Sequence, residues 1–130
     1  MHKYPTVLGV SLLGSMVVSM FGSLDLLVII LICFVVIDYI TGVIASAIEG
    51  KLSSAVGFRG IARKLIIFIL VGVSHLLDMA IGWNNHFIRD ATIFFYILNE
   101  FISIIENAGR AGVPIPEFLA KVIELLRERP

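Results

Sequence analysis

The chain has 130 residues, of which 58% are hydrophobic and 15% are charged, and its ten basic and ten acidic residues cancel. Soluble domains carry about 25% charged residues, so this composition, with a mean hydropathy of +1.01, indicates a membrane protein. The balanced charge offers no basic excess for nucleic acid, and the single cysteine, Cys33, excludes an intrachain disulfide.

A bilayer core of about 30 Å requires about 20 apolar helical residues. Four stretches approach this length: 4–24, 26–48 with Asp38 inside it, 65–83 with His75 and Asp78, and 91–105 with Glu100. No A-x-A-like cleavage site follows the first stretch, so we expect a retained helix and not a signal peptide. The sequence therefore predicts an all-α membrane protein with four transmembrane helices, or three if the short fourth stretch does not span.

The distribution of basic residues predicts the orientation of these helices. The interval 49–64 is expected to be a loop and holds Lys51, Arg59, Arg63 and Lys64, whereas the loop 84–90 holds only Arg89. Lys and Arg are retained on the cytoplasmic side of short loops. We therefore expect the 49–64 loop and both termini to be cytoplasmic.

The C-terminal region differs in pattern from the rest of the chain. The segment "AGRAGVPIP" should end the fourth helix. After it, apolar residues recur on one face between Phe118 and Leu126, with Glu117 in the first turn and basic residues in the last. We expect a transmembrane domain over 1–113 and a cytoplasmic amphipathic tail over 114–130.

Polar and small residues share one face of each predicted membrane helix. At about 100° per residue, the faces comprise Ser11, Ser15, Ser19 and Ser23; Asp38, Thr41, Gly42, Ala45 and Glu49; Ser74, His75, Asp78 and Gly82; and Thr92, Tyr96, Asn99, Glu100, Ser103, Glu106 and Asn107. A charge at the centre of a membrane helix costs about 2.5 to 3.5 kcal/mol, so these faces should be sheltered from lipid. We expect Asp78 and His75 to be partners of Glu100, and the serines and Gly42 to allow close helix packing or self-association.

Three roles are compatible with these faces. They can hold a structural bundle together, line a membrane lesion, or form a relay through Asp38, His75, Asp78 and Glu100 in a small ion or proton channel or an accessory transporter subunit. The sequence contains no nucleophile motif, HExxH, P-loop or glycine-rich dinucleotide turn, and no second His or Cys at metal-ligand spacing. It therefore predicts no catalytic residue, no cofactor and no metal.

Three segments carry a resemblance to a known family: "DYITGVIASAIEGKLSSAVGFRGIARK", "LLD" and "ILNEFISIIENAGRAGVPIPEFL". Over roughly residues 36–126 the chain resembles the phage holin family that includes clostridial toxin-secretion holins. The motifs recur in order: Asp38 with Thr41 and Gly42, then Leu52, Ser53 and Ser54, then Gly60 and Lys64, then Asp78, then Asn99, Glu100, Ser103, Glu106 and Asn107, and finally Gly112, Pro114 and Pro116. The first predicted helix is less diagnostic.

The resemblance implies a non-enzymatic protein of the bacterial cytoplasmic membrane. Such a protein forms homo-oligomers in the bilayer and opens lesions that release an endolysin, or in some relatives a toxin, so that the host lyses. The endolysin is a functional partner that need not touch it. Under this interpretation Glu100 is hidden in the closed form and hydrated in the open form.

Overall fold

The computed structural model describes residues 3–82 and 85–127, and within these ranges the chain forms five α-helices. They are α1 (Tyr4–Met20), α2 (Leu26–Ile48), α3 (Ser54–Ile81), α4 (Phe87–Arg110) and α5 (Glu117–Arg127). The all-α architecture expected from the sequence is confirmed.

Side-chain caps and glycine set several of the helix ends. The Asp25 carboxylate accepts a hydrogen bond from the Val28 amide at 3.2 Å and begins α2, and the Ser53 hydroxyl accepts one from Val56 at 3.2 Å and begins α3. Helix α3 ends at Gly82, whose φ of 85° lies in the left-handed region that glycine adopts without a steric penalty.

The helices α2, α3 and α4 form the body of the molecule. Helix α4 packs against both others, whereas α2 and α3 touch each other far less. The apolar core lies where the three meet and comprises Val28, Leu31, Val35, Ile67, Val71 and Ile93. Helices α2 and α4 begin at the same end of the bundle at which α3 ends, and we call this the Arg89 end. We call the opposite end the Arg110 end.

Helix α1 is attached mainly through its C-terminal turn. None of its residues is buried, and the Met20 carbonyl approaches α3 where Gly72 has no side chain. Ser11, Ser15 and Ser19 are all exposed. Within residues 3–82 and 85–127, no other helix therefore packs against the face that carries the serine ladder.

The interior of the bundle is polar to an extent that is unusual in soluble proteins. Its buried residues include Asp38, Ser46, Ser74, His75, Asp78, Arg89, Glu100 and Asn107, while large apolar side chains along α1, α2 and α3 are exposed. Lipid provides a favourable environment for such an apolar exterior. Helices α2, with 23 residues, and α3, with 28, are long and apolar enough to cross a bilayer.

Three helix boundaries differ from the sequence prediction. Helix α3 starts at Ser54 and not at 65 because Ser53 caps it, so Arg59, Arg63 and Lys64 are helical and only Lys51 of the four basic residues lies in the connection. Helix α1 stops at Met20 because Gly22 turns the chain with a φ of 88°. Helix α4 extends beyond 91–105 at both ends and thereby includes Arg89, Asp90 and Arg110.

Candidate functional site: two buried charge clusters

The first charge cluster, which we call the central cluster, joins α2, α3 and α4 through Lys64. Its ammonium nitrogen lies 2.5 Å from Oδ2 of Asp38 and 2.9 Å from Oε2 of Glu100. The Asp38 and Glu100 side chains are 7% and 4% exposed, and that of Lys64 is 16% exposed. One cation thus serves two buried carboxylates.

Asn107 completes the central cluster from the last turns of α4. Its Nδ2 donates to the carbonyl oxygen of Asp38 at 3.1 Å, to Asp38 Oδ1 at 2.8 Å and to the Thr41 hydroxyl at 3.1 Å. A Cβ at Gly42 would lie 3.4 Å from this Nδ2. The absence of a side chain at Gly42 therefore lets α4 approach α2 closely enough for Asn107 to reach the α2 backbone.

A second layer of polar contacts lies toward the Arg110 end. The Arg110 guanidinium donates to Glu49 Oε1 at 2.8 and 2.6 Å, to Ser46 Oγ at 3.2 Å and to Asn107 Oδ1 at 3.2 Å. Arg127 of α5 forms an ion pair with Glu106 of α4. These contacts connect α2 and the C-terminal helix to the same end of α4.

The second cluster, the Arg89 cluster, lies at the other end of the bundle. The Arg89 side chain is fully buried and makes a two-pronged contact with the Asp25 carboxylate at 2.9 and 3.0 Å. It also donates to the carbonyl oxygens of Phe21 and Ser23 and to Asp90. The hydrogen bonds from Arg89 hold the pKa of the Asp25 carboxyl below its ordinary value. Arg89 thus ties the α1–α2 connection to the first turn of α4.

Asp78 of α3 caps the N-terminus of α4. Its carboxylate accepts hydrogen bonds from the amides of Ile88 at 3.0 Å and Arg89 at 2.9 Å. A negative charge at a helix N-terminus satisfies unpaired amides and interacts favourably with the helix dipole. Asp78 therefore acts as a cap supplied by a neighbouring helix.

His75 and Ser74 lie near Asp78 on α3. The His75 ring is buried, stands 5.6 Å from the His86 ring and touches the chain at Gly22. The Ser74 hydroxyl lies 2.8 Å from the Thr92 hydroxyl of α4. These contacts fill the helix interfaces near the Arg89 end.

The structure divides the residues singled out by sequence between the two clusters. Asp38, Gly42, Glu100 and Asn107 come together, and Ser103 is half-buried beside them, but Asn99 and Glu106 are exposed. The expectation that Asp78 and His75 pair with Glu100 is wrong. Asp78 follows Lys64 by fourteen residues, about 21 Å along a helix that rises about 1.5 Å per residue, so Glu100 pairs with Lys64 and Asp38 instead.

Lys64, which is partly buried, and Arg89, which is fully buried, are the cluster cations that sequence reasoning assigned to loops. Both assignments failed because the helices extend further than the apolar stretches from which the spans were predicted. A signal for Lys64 was present: it shares a helical face with Val71 and Asp78, at intervals of seven residues. No comparable periodic signal marks Arg89.

Comparisons with known proteins identify relatives along most of the chain. A sequence profile described as the bacteriophage holin family matches residues 15–128. An uncharacterised protein of Listeria innocua is 48% identical over 116 residues, which are 89% of this chain and 82% of the relative. An uncharacterised protein of Clostridium perfringens is 38% identical over 122 residues, which are 94% of this chain and 90% of the relative.

A more distant relative carries a functional name. The protein named probable holin from Bacillus phage phi105 is 34% identical over 75 residues, which are 58% of this chain and 55% of the relative. No solved structure matches the chain. Because the family profile covers most of the sequence and a named relative agrees with it, this membrane protein belongs to the bacteriophage holin family.

Proposed function

We propose that the protein is a holin: it accumulates in the bacterial cytoplasmic membrane, forms homo-oligomers and opens lesions through which an endolysin leaves the cytoplasm. Family membership over residues 15–128 is the observation that carries this proposal. The central cluster supports it, since a bundle with an apolar exterior and a charged interior contains the two kinds of surface that a closed form and a water-lined form require. A secreted toxin is a second possible cargo for such a lesion.

The central cluster suggests how the closed form is maintained. Lys64 compensates the charge of one of two carboxylates whose placement in lipid is costly. Asn107 donates hydrogen bonds to the oxygens of Asp38. Opening exposes Asp38, Glu100 and Ser103 to water, where their charges and hydrogen bonds are satisfied by solvent. The exposed serine face of α1 and the outward apolar faces of α2 and α3 then serve as contacts between subunits and with lipid.

We propose a multi-pass topology that keeps the Arg110 end cytoplasmic. Helices α1 to α4 each cross the bilayer, with both termini inside. Lys51, Arg59, Arg63 and Arg110 all lie at this end of the bundle, as the positive-inside rule requires. Three polar side chains of α4 can be accommodated because Arg89, Glu100 and Asn107 face the bundle and not lipid. The tail 114–130 then lies in the cytoplasm, where it modulates the timing of opening.

The proposal is tested by asking whether this protein lets an endolysin that cannot leave the cytoplasm by itself lyse the cell. The chain is expressed in a bacterium that also produces a cytoplasmic endolysin without a secretion signal, and lysis is followed by optical density and by release of a cytoplasmic reporter enzyme. Lysis is expected only when both proteins are present, and an inactive endolysin variant serves as the control. Ion leakage with the endolysin retained inside would contradict the holin function and would favour a small channel.

A further inference from the structure

A cavity of about 360 Å³ opens between α2, α3 and the last turns of α4 at the Arg110 end of the bundle. Gly57 and Gly60 of α3 face the Tyr39 ring of α2, and a Cβ at Gly57 would lie 3.4 Å from the Tyr39 hydroxyl. Because neither glycine fills the space beside this ring, a recess remains between the two helices. Its volume falls within the range of about 300 to 1,000 Å³ that is typical of small-molecule sites.

The lining of this cavity is strongly basic. Its charged residues are Arg59, Arg63, Lys64 and Arg110 against a single acid, Asp38. Lys64 and Arg110 are held by carboxylates. Arg59 and Arg63 have no ion-pair or hydrogen-bond partner anywhere in 3–82 or 85–127. These two guanidinium groups, four residues apart on α3, repel each other unless an anion lies between them.

The rim of the cavity is apolar. Leu52 and Val56 line it and are 51% and 46% exposed. Beyond Lys64, α3 continues with apolar residues, and the helix as a whole is long enough to cross the membrane. The basic recess therefore lies next to surface that suits acyl chains, a combination that fits an amphiphile better than a free anion.

We propose that this cavity binds the phosphate of an anionic phospholipid. Arg59 and Arg63 donate to the phosphate oxygens, since a guanidinium presents a planar set of donors that matches a phosphate. The acyl chains lie in the adjoining apolar groove between α2 and α3, which Val36, Ile61 and Leu65 line. Basic pockets between membrane helices bind lipid headgroups in this way. The site does not depend on the proposed lytic function, because it needs only a folded protein in a bilayer.

Binding to the purified full-length protein in detergent tests this site. The protein is titrated with phosphatidylglycerol, phosphatidylcholine or inorganic phosphate, and bound lipid is counted by native mass spectrometry. One phosphatidylglycerol is expected to be retained with at least about tenfold preference over phosphatidylcholine, and inorganic phosphate is expected to bind far more weakly. Arg59→Gln with Arg63→Gln should reduce this preference about tenfold.

Two further variants separate binding in this recess from general charge attraction. Lys121→Gln with Arg127→Gln removes the same number of charges from α5 and should keep the preference. Val43→Phe narrows the recess while every charge remains, and it should weaken binding too. The proposal is overturned if the Arg59 and Arg63 double variant binds normally, if the α5 variant loses as much, or if inorganic phosphate binds as tightly as the lipid.

Discussion

At the scale of single residues, Lys64 is the cation on which the interior of the bundle depends. It contacts two buried carboxylates, so the trio of Asp38, Lys64 and Glu100 carries a net charge of −1 when all three are ionised. Removing one partner of a buried ion pair costs about 3 to 5 kcal/mol, because a charge is left without compensation. Removing the Lys64 charge leaves two buried carboxylates without compensation, whereas removing the Glu100 charge leaves one carboxylate matched by one ammonium, so the two changes should affect the closed form in opposite directions.

Substitutions at Lys64 and Glu100 should shift lysis timing in opposite directions. Lys64→Met leaves two carboxylates side by side and should open early, whereas Glu100→Gln keeps an acceptor for Lys64, neutralises the trio and should delay opening. The measurement is the interval from induction to lysis at equal membrane-protein level. Lys51→Met is the matched control, since Lys51 lies outside the helices and is exposed. Shifts of the same sign in both variants would contradict this role.

The lowered pKa of Asp25 predicts that the folded protein loses stability in acid. Its folded-state pKa lies below its ordinary value of 3.8, mainly because of hydrogen bonds from Arg89. A carboxylate with a lowered folded pKa stabilises the fold above its unfolded pKa, and this stabilisation disappears as the pH falls through the folded pKa. Because the Asp25 side chain is 40% exposed, the contribution is screened by solvent and is modest.

The melting temperature of the detergent-solubilised protein, measured from pH 6 down to pH 3, tests this linkage. The wild type should lose stability below about pH 4, and the Asp25→Asn variant should start less stable and lose less over the same range. An equal acid dependence in the two proteins would show that other carboxylates account for it.

The helical spacing of a polar face does not depend on the exact helix length. Asp38, Gly42 and Asn107, which the sequence places on such faces, lie together in the central cluster. The partner of Glu100 was wrong because it depends on the axial register between α3 and α4, which hydropathy does not encode. The interior positions of Lys64 and Arg89 were not predicted. A basic residue that flanks an apolar stretch looks like a loop residue unless the positions of the helix caps are known.

At the scale of helices, the turn at Gly22 fixes the attachment of α1. Gly22 has a φ of 88°, and a Cβ there would lie 2.8 Å from two atoms of the His75 ring. A left-handed conformation costs a residue with a side chain about 1 to 2 kcal/mol. Both effects make this position intolerant of any side chain.

Gly22→Ala should therefore lower the melting temperature and loosen α1 from the bundle. Gly9→Ala and Gly14→Ala are matched controls, because neither site has a neighbouring atom within 4 Å and alanine favours a helix by about 1 kcal/mol. Hydrogen exchange across 4–24 provides the second measurement. Equal melting temperatures for all three variants would mean that the turn is not needed to position α1.

The serine ladder of α1 predicts a contact between subunits. Ser11, Ser15 and Ser19 are exposed, and none of the other described helices covers them. Ser15→Leu with Ser19→Leu should weaken cross-linked oligomers and shift lysis timing, because small residues permit the close approach that helix association in lipid requires. Val7→Leu and Val10→Leu alter neighbouring exposed positions as controls. Unchanged oligomers in the serine variant would indicate that this face contacts lipid.

At the scale of the whole molecule, the structure has polar groups inside and apolar groups outside. The two charge clusters fasten α4 at both ends, to the α1–α2 connection through Arg89 and to α2 and α3 through the central cluster. Under the proposed function, the bundle is stable while its interior stays dry, and its polar faces line the water-filled opening once the helices of neighbouring subunits separate. Accumulation without leakage, followed by sudden opening, is the behaviour this construction supports.

The timing of membrane depolarisation tests this account most directly. Membrane potential and release of a cytoplasmic enzyme are followed in single cells that express the protein together with the endolysin. We predict a potential that stays normal while the protein accumulates and then collapses abruptly, with enzyme release immediately afterwards. A gradual loss of potential that tracks protein level, without enzyme release, would contradict the account.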